Sequence, residues 1–223
     1  MVDNQIRPNR VTSPALLDAL LEVPRELFVP AAAGGVAYVD DDIALETSPG
    51  RAPRWLMEPM VFARLAQAAA IDKSDVVLDV GIGTGYGAAV LSRLAATVVA
   101  VEDDPALAEA AARTLERLQV DNVACITGDP KKGCPAQAPY DVILFEGAID
   151  RIPEEIGEQL AEGGRLVAVL RGDAGPSQTG PGQSRMGKAI LAERRGGRLS
   201  HRILFDAGTP YLPGFVPEPN FVF

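Results

Sequence analysis

Val77-Leu78-Asp79-Val80-Gly81-Ile82-Gly83-Thr84-Gly85-Tyr86-Gly87 is the stretch that decides the fold. The run 75–80, Asp-Val-Val-Leu-Asp-Val, is rich in β-branched residues and reads as a strand that ends in a glycine loop. Gly81, Gly83 and Gly85 then allow the sharp turn and close ligand approach of a strand-to-helix loop. A helix is expected from Tyr86 to Ala95.

The same alternation continues on the C-terminal side. Residues 97–101 read as a strand. Asp104 and Pro105 open a helix to Leu118, Asp104 as cap and Pro105 as first helical residue. Strands follow at 122–127, 140–148 and 164–170, with a helix from Pro153 to Leu160. This order predicts a mainly parallel sheet covered by helices on both sides, a Rossmann-like α/β fold. Beyond it, 172–187 has loop composition. Two strands around Gly196-Gly197 then read as a β-hairpin, with a Pro-rich tail after it.

Towards the N-terminus the character changes. Thr12 or Ser13 can cap a helix that begins at Pro14 and stops at Pro24. Residues 30–55 look like loop, and a second helix is expected from Pro59 to Ala70. The division is therefore a helical and loop lobe, 1–70, packed on a Rossmann-like domain, 71–223, the two forming one structural unit.

Composition narrows the chemistry. Of 223 residues, 47% are hydrophobic, enough for a sizeable core, and the formal charge is −9. That charge argues against nucleic acid as a partner, since phosphate contacts need clustered Lys and Arg. Two cysteines and one histidine argue against a disulfide framework and against a metal site. No apolar segment is long enough to span a bilayer, and no signal core follows the first charges. A cytoplasmic protein is the expectation.

The loop also suggests its ligand. Glu102 ends the second strand, where a carboxylate can accept hydrogen bonds from both hydroxyls of a ribose. Asp79, two residues before the first glycine, puts negative charge beside the loop. That charge would repel a pyrophosphate and suits the cationic ammonium and sulfonium of S-adenosylmethionine. Asp79 could equally cap the loop's own amides. Asp129, after the third strand, can take an adenine amino group or simply form the turn before Pro130.

On these residues the chain resembles the protein-L-isoaspartate O-methyltransferase family of class I S-adenosylmethionine-dependent methyltransferases. The matching segments are VPRELFV (23–29), DDIAL (41–45), VLDVGIGTGYGAAVLSRL (77–94), VVAVE (98–102), NVACITGD (122–129), YDVILFEGA (140–148) and IPEEIGEQLAEGGRLVAVL (152–170). The resemblance implies a seven-stranded, mainly parallel sheet with an antiparallel last strand. It implies methylation of the α-carboxylate of L-isoaspartyl residues in damaged proteins or peptides. It also implies S-adenosylmethionine as cofactor, held by Asp79, Gly81, Gly83, Gly85, Glu102 and Asp129.

One segment departs from the family pattern. Where the family carries Gln-Thr-Ile-Ser-x-Pro, this chain has Arg54-Trp55-Leu56-Met57-Glu58-Pro59, in a loop about three residues longer. Met57 stands at the position of the serine whose hydroxyl meets the reacting carboxylate, and Trp55 at that of the threonine. Glu146 replaces a small or hydroxyl residue after the fourth strand. Met57, Glu146 and Arg54 are therefore the candidates for the acceptor side. Glu146 would repel an anionic substrate unless protonated or paired. Arg54 could neutralise it, clamp the substrate carboxylate, or be an exposed surface arginine.

Methyl transfer to a carboxylate needs no general base, so the lone His201 reads as structural and both cysteines as packing or incidental. Two other functions stay open: methyl transfer to a different acceptor, with Glu146 or Asp42 as base, and cofactor binding without catalysis.

Overall fold

A computed structural model describes residues 1–172 and 186–217. The segment read as a loop at 172–187 and the end of the tail fall almost wholly outside the described residues. Seven strands form the main sheet: β3 (Val76–Val80), β4 (Thr97–Glu102), β5 (Val123–Thr127), β6 (Tyr140–Ile149), β7 (Leu160–Leu170), β8 (Gly187–Arg195) and β9 (Arg198–Ala207). Two three-residue strands, β1 (Ile43–Leu45) and β2 (Arg54–Leu56), make a separate antiparallel ribbon.

The sheet order is β5-β4-β3-β6-β7-β8-β9, with β3 to β7 all parallel. β8 is antiparallel to β7 and β9 antiparallel to β8, so the sheet ends in antiparallel pairing as expected. β8 is thus the strand that runs against the other six. The cause is local. Gly196 and Gly197 both have positive φ, 60° and 73°, which is the tight hairpin turn that two glycines favour.

Alternate residues of the central strands feed two cores. On one face Val77, Val98, Ala100, Val142 and Leu144 meet α1 (Pro14–Glu22), α2 (Pro59–Ala69), α3 (Tyr86–Ser92) and α4 (Pro105–Arg117). On the other, Leu78, Val80, Val101, Ile143 and Phe145 meet Ile156 of α5 (Glu154–Glu158) and the tail residues Leu212 and Phe215. Each fully buried Leu or Phe contributes about 1.5–3 kcal/mol relative to exposure. The N-terminal lobe belongs to the first core through Leu16, Leu17, Leu20 and Phe62.

Element ends follow their residues. Ser13 accepts the amide of Leu16 and Asp104 that of Ala106, each with proline as the first helical residue. The structure differs from the sequence reading at three places. Residues 30–55, expected as loop, contain β1 and β2. α3 stops at Ser92, three residues early, where Ser92 bonds back to the carbonyl of Ala89. The helix expected to reach Leu160 ends at Glu158, because Leu160 already pairs with Tyr140 of the neighbouring strand. Among the described residues no helix is long and apolar enough to cross a membrane.

Candidate active site

The site lies where the parallel strands end. Asp79 is the fourth residue of β3, and the chain leaves β3 through Gly81, Gly83 and Gly85, with φ of 76°, 54° and 89°. Side chains rarely adopt such angles, so the loop depends on glycine there. The Gly81 amide donates to the Val101 carbonyl (2.8 Å) and the Gly85 amide to that of Ile82 (2.8 Å), closing the turn into α3.

β4 flanks β3 on one side and ends in Glu102. This carboxylate is 0% exposed. Its Oε2 accepts the Gly83 amide (2.7 Å) and Arg54 Nη2 (2.8 Å), and its Oε1 accepts the amides of Asp103 and Asp104 (3.2 Å each). Burial pushes the Glu102 carboxyl up and Arg54 pulls it back. Arg54 is 3% exposed and its Nη2 also donates to the Gly81 carbonyl (2.5 Å). It is therefore not a surface arginine. The guanidinium sits between the glycine loop and the strand-end acid.

β6 flanks β3 on the other side and carries Glu146. Glu146 and Asp79 are both buried, beside one another on adjacent strands. Among the described residues neither Asp79 oxygen nor Glu146 Oε1 has a hydrogen-bond partner. Burial, with the charge of Asp79 beside it, pushes Glu146 well above the usual carboxylate range; burial pushes Asp79 up to about 7. Both carboxyls therefore favour the protonated form, Glu146 the more strongly. Gly87 makes room for the pair, since a methyl group there would collide with the Glu146 carboxyl.

Met57 is buried, and its carbonyl accepts Arg25 Nη2 (2.8 Å). Arg25, from VPRELFV, is itself fully buried. It also donates to Ala37 (2.8 Å) and lies 4.6 Å above the Tyr86 ring. Sequence reasoning did not single it out. Its signal was an arginine among the apolar residues of that run, where a buried guanidinium must find acceptors. Asp129 is exposed; its Oδ1 accepts the Lys131 amide (2.9 Å), so it forms the turn. It also borders an open cleft of about 520 Å³ with Asp103, Gly128, Pro213 and Gly214. His201 is exposed on β9, and both cysteines are free and half-buried.

The structure thus brings Asp79, Gly81, Gly83, Glu102, Arg54 and Glu146 together and buries Met57 in the first core, its backbone held by Arg25. Asp129 stands apart on the cleft rim. A nucleoside sulfonium is matched in kind by this set. Asp79 is a buried acid lacking any N–H partner, the glycines leave the loop backbone bare of side chains, and a cleft opens beside Gly128.

Comparison with known proteins agrees. Residues 1–178 match the family model described as protein-L-isoaspartate(D-aspartate) O-methyltransferase. A protein-L-isoaspartate O-methyltransferase of Koribacter versatilis is 40% identical over 206 residues, covering 92% of this chain and 86% of that one. One from Gloeobacter violaceus is 40% identical over 170 residues, 76% of this chain and 80% of its own. Among solved structures, a protein-L-isoaspartate O-methyltransferase superposes with a TM-score of 0.80 at 29% identity, covering 96% of this chain and 66% of that chain. A beta-aspartate methyltransferase from Plasmodium falciparum, solved with S-adenosyl-L-homocysteine, shares the fold: TM-score 0.73, 18% identity and 95% of both chains. With a family match over most of its length and relatives at this identity, the chain belongs to the protein-L-isoaspartate(D-aspartate) O-methyltransferase family.

Proposed function

We propose that this chain is an S-adenosylmethionine-dependent methyltransferase that esterifies the carboxylate of isoaspartyl residues in damaged proteins, a repair function exercised in the cytoplasm. The observation that carries the reading is the buried Asp79, without an N–H partner, beside the bare glycine loop and Glu102 in a chain of this family.

When bound, the cofactor supplies a methyl group on a sulfonium, open to displacement by a nucleophile. Asp79 would hold its ammonium, Glu102 its ribose hydroxyls, and the cleft lined by Gly128 and Asp129 its base. The acceptor carboxylate is already a nucleophile, so the chain's task is alignment and exclusion of water. Arg25 fixes the backbone of Met57 and with it the wall of the acceptor side. Burial and the adjacent Asp79 favour the protonated form of Glu146, which would lessen the repulsion of an anionic acceptor expected from the sequence.

The test pairs labelled methyl transfer to an isoaspartyl peptide with calorimetric binding of S-adenosylmethionine. A base-labile ester on the peptide is the expected product. Label in a base-stable product points to another acceptor. Binding without transfer favours a non-catalytic role, the reading to which the apolar Met57 in place of a hydroxyl lends weight. Absence of binding overturns the cofactor assignment.

A further inference from the structure

The acid assigned to the ribose is already engaged by this chain itself. Three consecutive acids at the end of β4 each hold one residue of the stretch from Ser48 to Arg54, which leads from β1 into the first residue of β2. Glu102 binds Arg54 (2.8 Å), and Asp103 binds Arg51 (3.3 Å). Asp104 accepts both the amide and the hydroxyl of Ser48 (2.8 and 2.5 Å). The partners fall at every third residue, 48, 51 and 54, so the segment is laid along the strand end. Leu45 covers the loop as well, 2.6 Å from where a Cβ on Gly83 would stand.

The segment is held in two different ways. Its base is pinned in the lobe by the Met57 carbonyl on Arg25 and by the Glu58 amide on Asp42 Oδ1 (3.0 Å). Its tip is held chiefly by the contacts to residues 102–104. The ladder behind the tip is only three residue pairs, and a lone two-stranded ribbon is marginal in water. Among the described residues Arg54 Nε has no hydrogen-bond partner although it is buried, so the guanidinium is incompletely satisfied where it lies. Ser48-Pro49-Gly50 forms a turn, with Arg51 N on Ser48 O (3.0 Å) and Gly50 at φ 80°, where the tip can pivot.

The geometry points to residues 46–54 being an intramolecular flap whose Arg54 competes with the cofactor for Glu102. The carboxylate cannot serve a ribose diol and the guanidinium through the same oxygen face at once, so loading must release Arg54 and lift the tip. This inference rests on the cofactor reading above.

The test uses S-adenosyl-L-homocysteine and the full chain. Calorimetry compares wild type with Arg54→Ala and with Ser48→Ala/Arg51→Ala, which loosens the tip but keeps the Arg54–Glu102 pair. Limited trypsin digestion of wild type reads the Arg54–Trp55 bond, buried in the closed state. The expected results are affinity at least tenfold higher in Arg54→Ala, a smaller gain of about threefold in the double variant, and ligand-induced cleavage after Arg54. If Arg54→Ala does not fold, the double variant and the wild-type digestion decide. Wild-type binding with no gain in the folded variants, and Arg54–Trp55 staying protected, overturns the flap and leaves the cofactor reading standing. Failure of every form to bind overturns both.

Discussion

Two glutamates flank the end of β3, Glu102 as the last residue of β4 and Glu146 just past the last β6 residue paired with β3, and they meet opposite fates. Glu102 on β4 and Glu146 on β6 are both buried. Glu102 is surrounded by donors: three backbone amides and a guanidinium. Glu146 faces another acid and a glycine, so burial and its neighbour's charge push its carboxyl towards the protonated form. The strand order that makes an α/β crevice delivers acids to both positions. What each acid becomes is set by the donors that other parts of the chain supply.

The comparison breaks most sharply at Arg54. Arg54→Met should leave Glu102 buried without its cation and cost about 3–5 kcal/mol in urea denaturation near pH 8. The deficit should shrink as pH falls towards the ordinary glutamate range, because a Glu102 without Arg54 has a raised native-state pKa and its penalty arises only on ionisation. A deficit independent of pH would mean that the loss is packing alone.

A smaller effect sharpens the other side. The Asp79 carboxyl is pushed up from 3.8 to about 7 by burial. Between those values the native state holds a proton that the unfolded chain has lost, so this group's contribution to stability falls as pH rises. Asp79→Asn removes that loss. The melting temperature of the variant minus that of wild type should therefore grow from pH 4 to pH 7, and a flat difference would deny the raised Asp79 carboxyl. The smallest effect is at the exposed Arg51–Asp103 pair. Arg51→Ala should change stability by no more than about 0.5 kcal/mol by thermal melting, since exposed pairs contribute little.

The order of strands and helices was legible because each relies on local signals: apolar runs, Asp104-Pro105, Gly196-Gly197. The positions of Asp79 and Glu102 were legible for the same reason, since a parallel strand carries its last residue to the crevice. β1 and β2 were not, for each is three residues long and lies in a stretch of loop composition. The partner of Arg54 was not either. It lies 48 positions away, and nothing near Arg54 distinguishes a buried arginine from a solvated one. The upward push on the Glu146 carboxyl depends on burial and on Asp79 from a neighbouring strand, and its place depends on the bare backbone at Gly87. Spacing within either segment carries no information about that meeting.

The glycines of the 81–85 loop look equivalent in the sequence, yet each answers to a different neighbour. A methyl group on Gly81 would strike Leu212 of the tail, on Gly83 Leu45 of the ribbon, and on Gly85 Ala111 of α4. The motif is therefore three separate fits, and two kinds of constraint act at each. Trimming Leu45 or Leu212 would free space without relieving the left-handed backbone. A chain that lost its ligand altogether would still have to keep these glycines, because its own folded body is moulded on them.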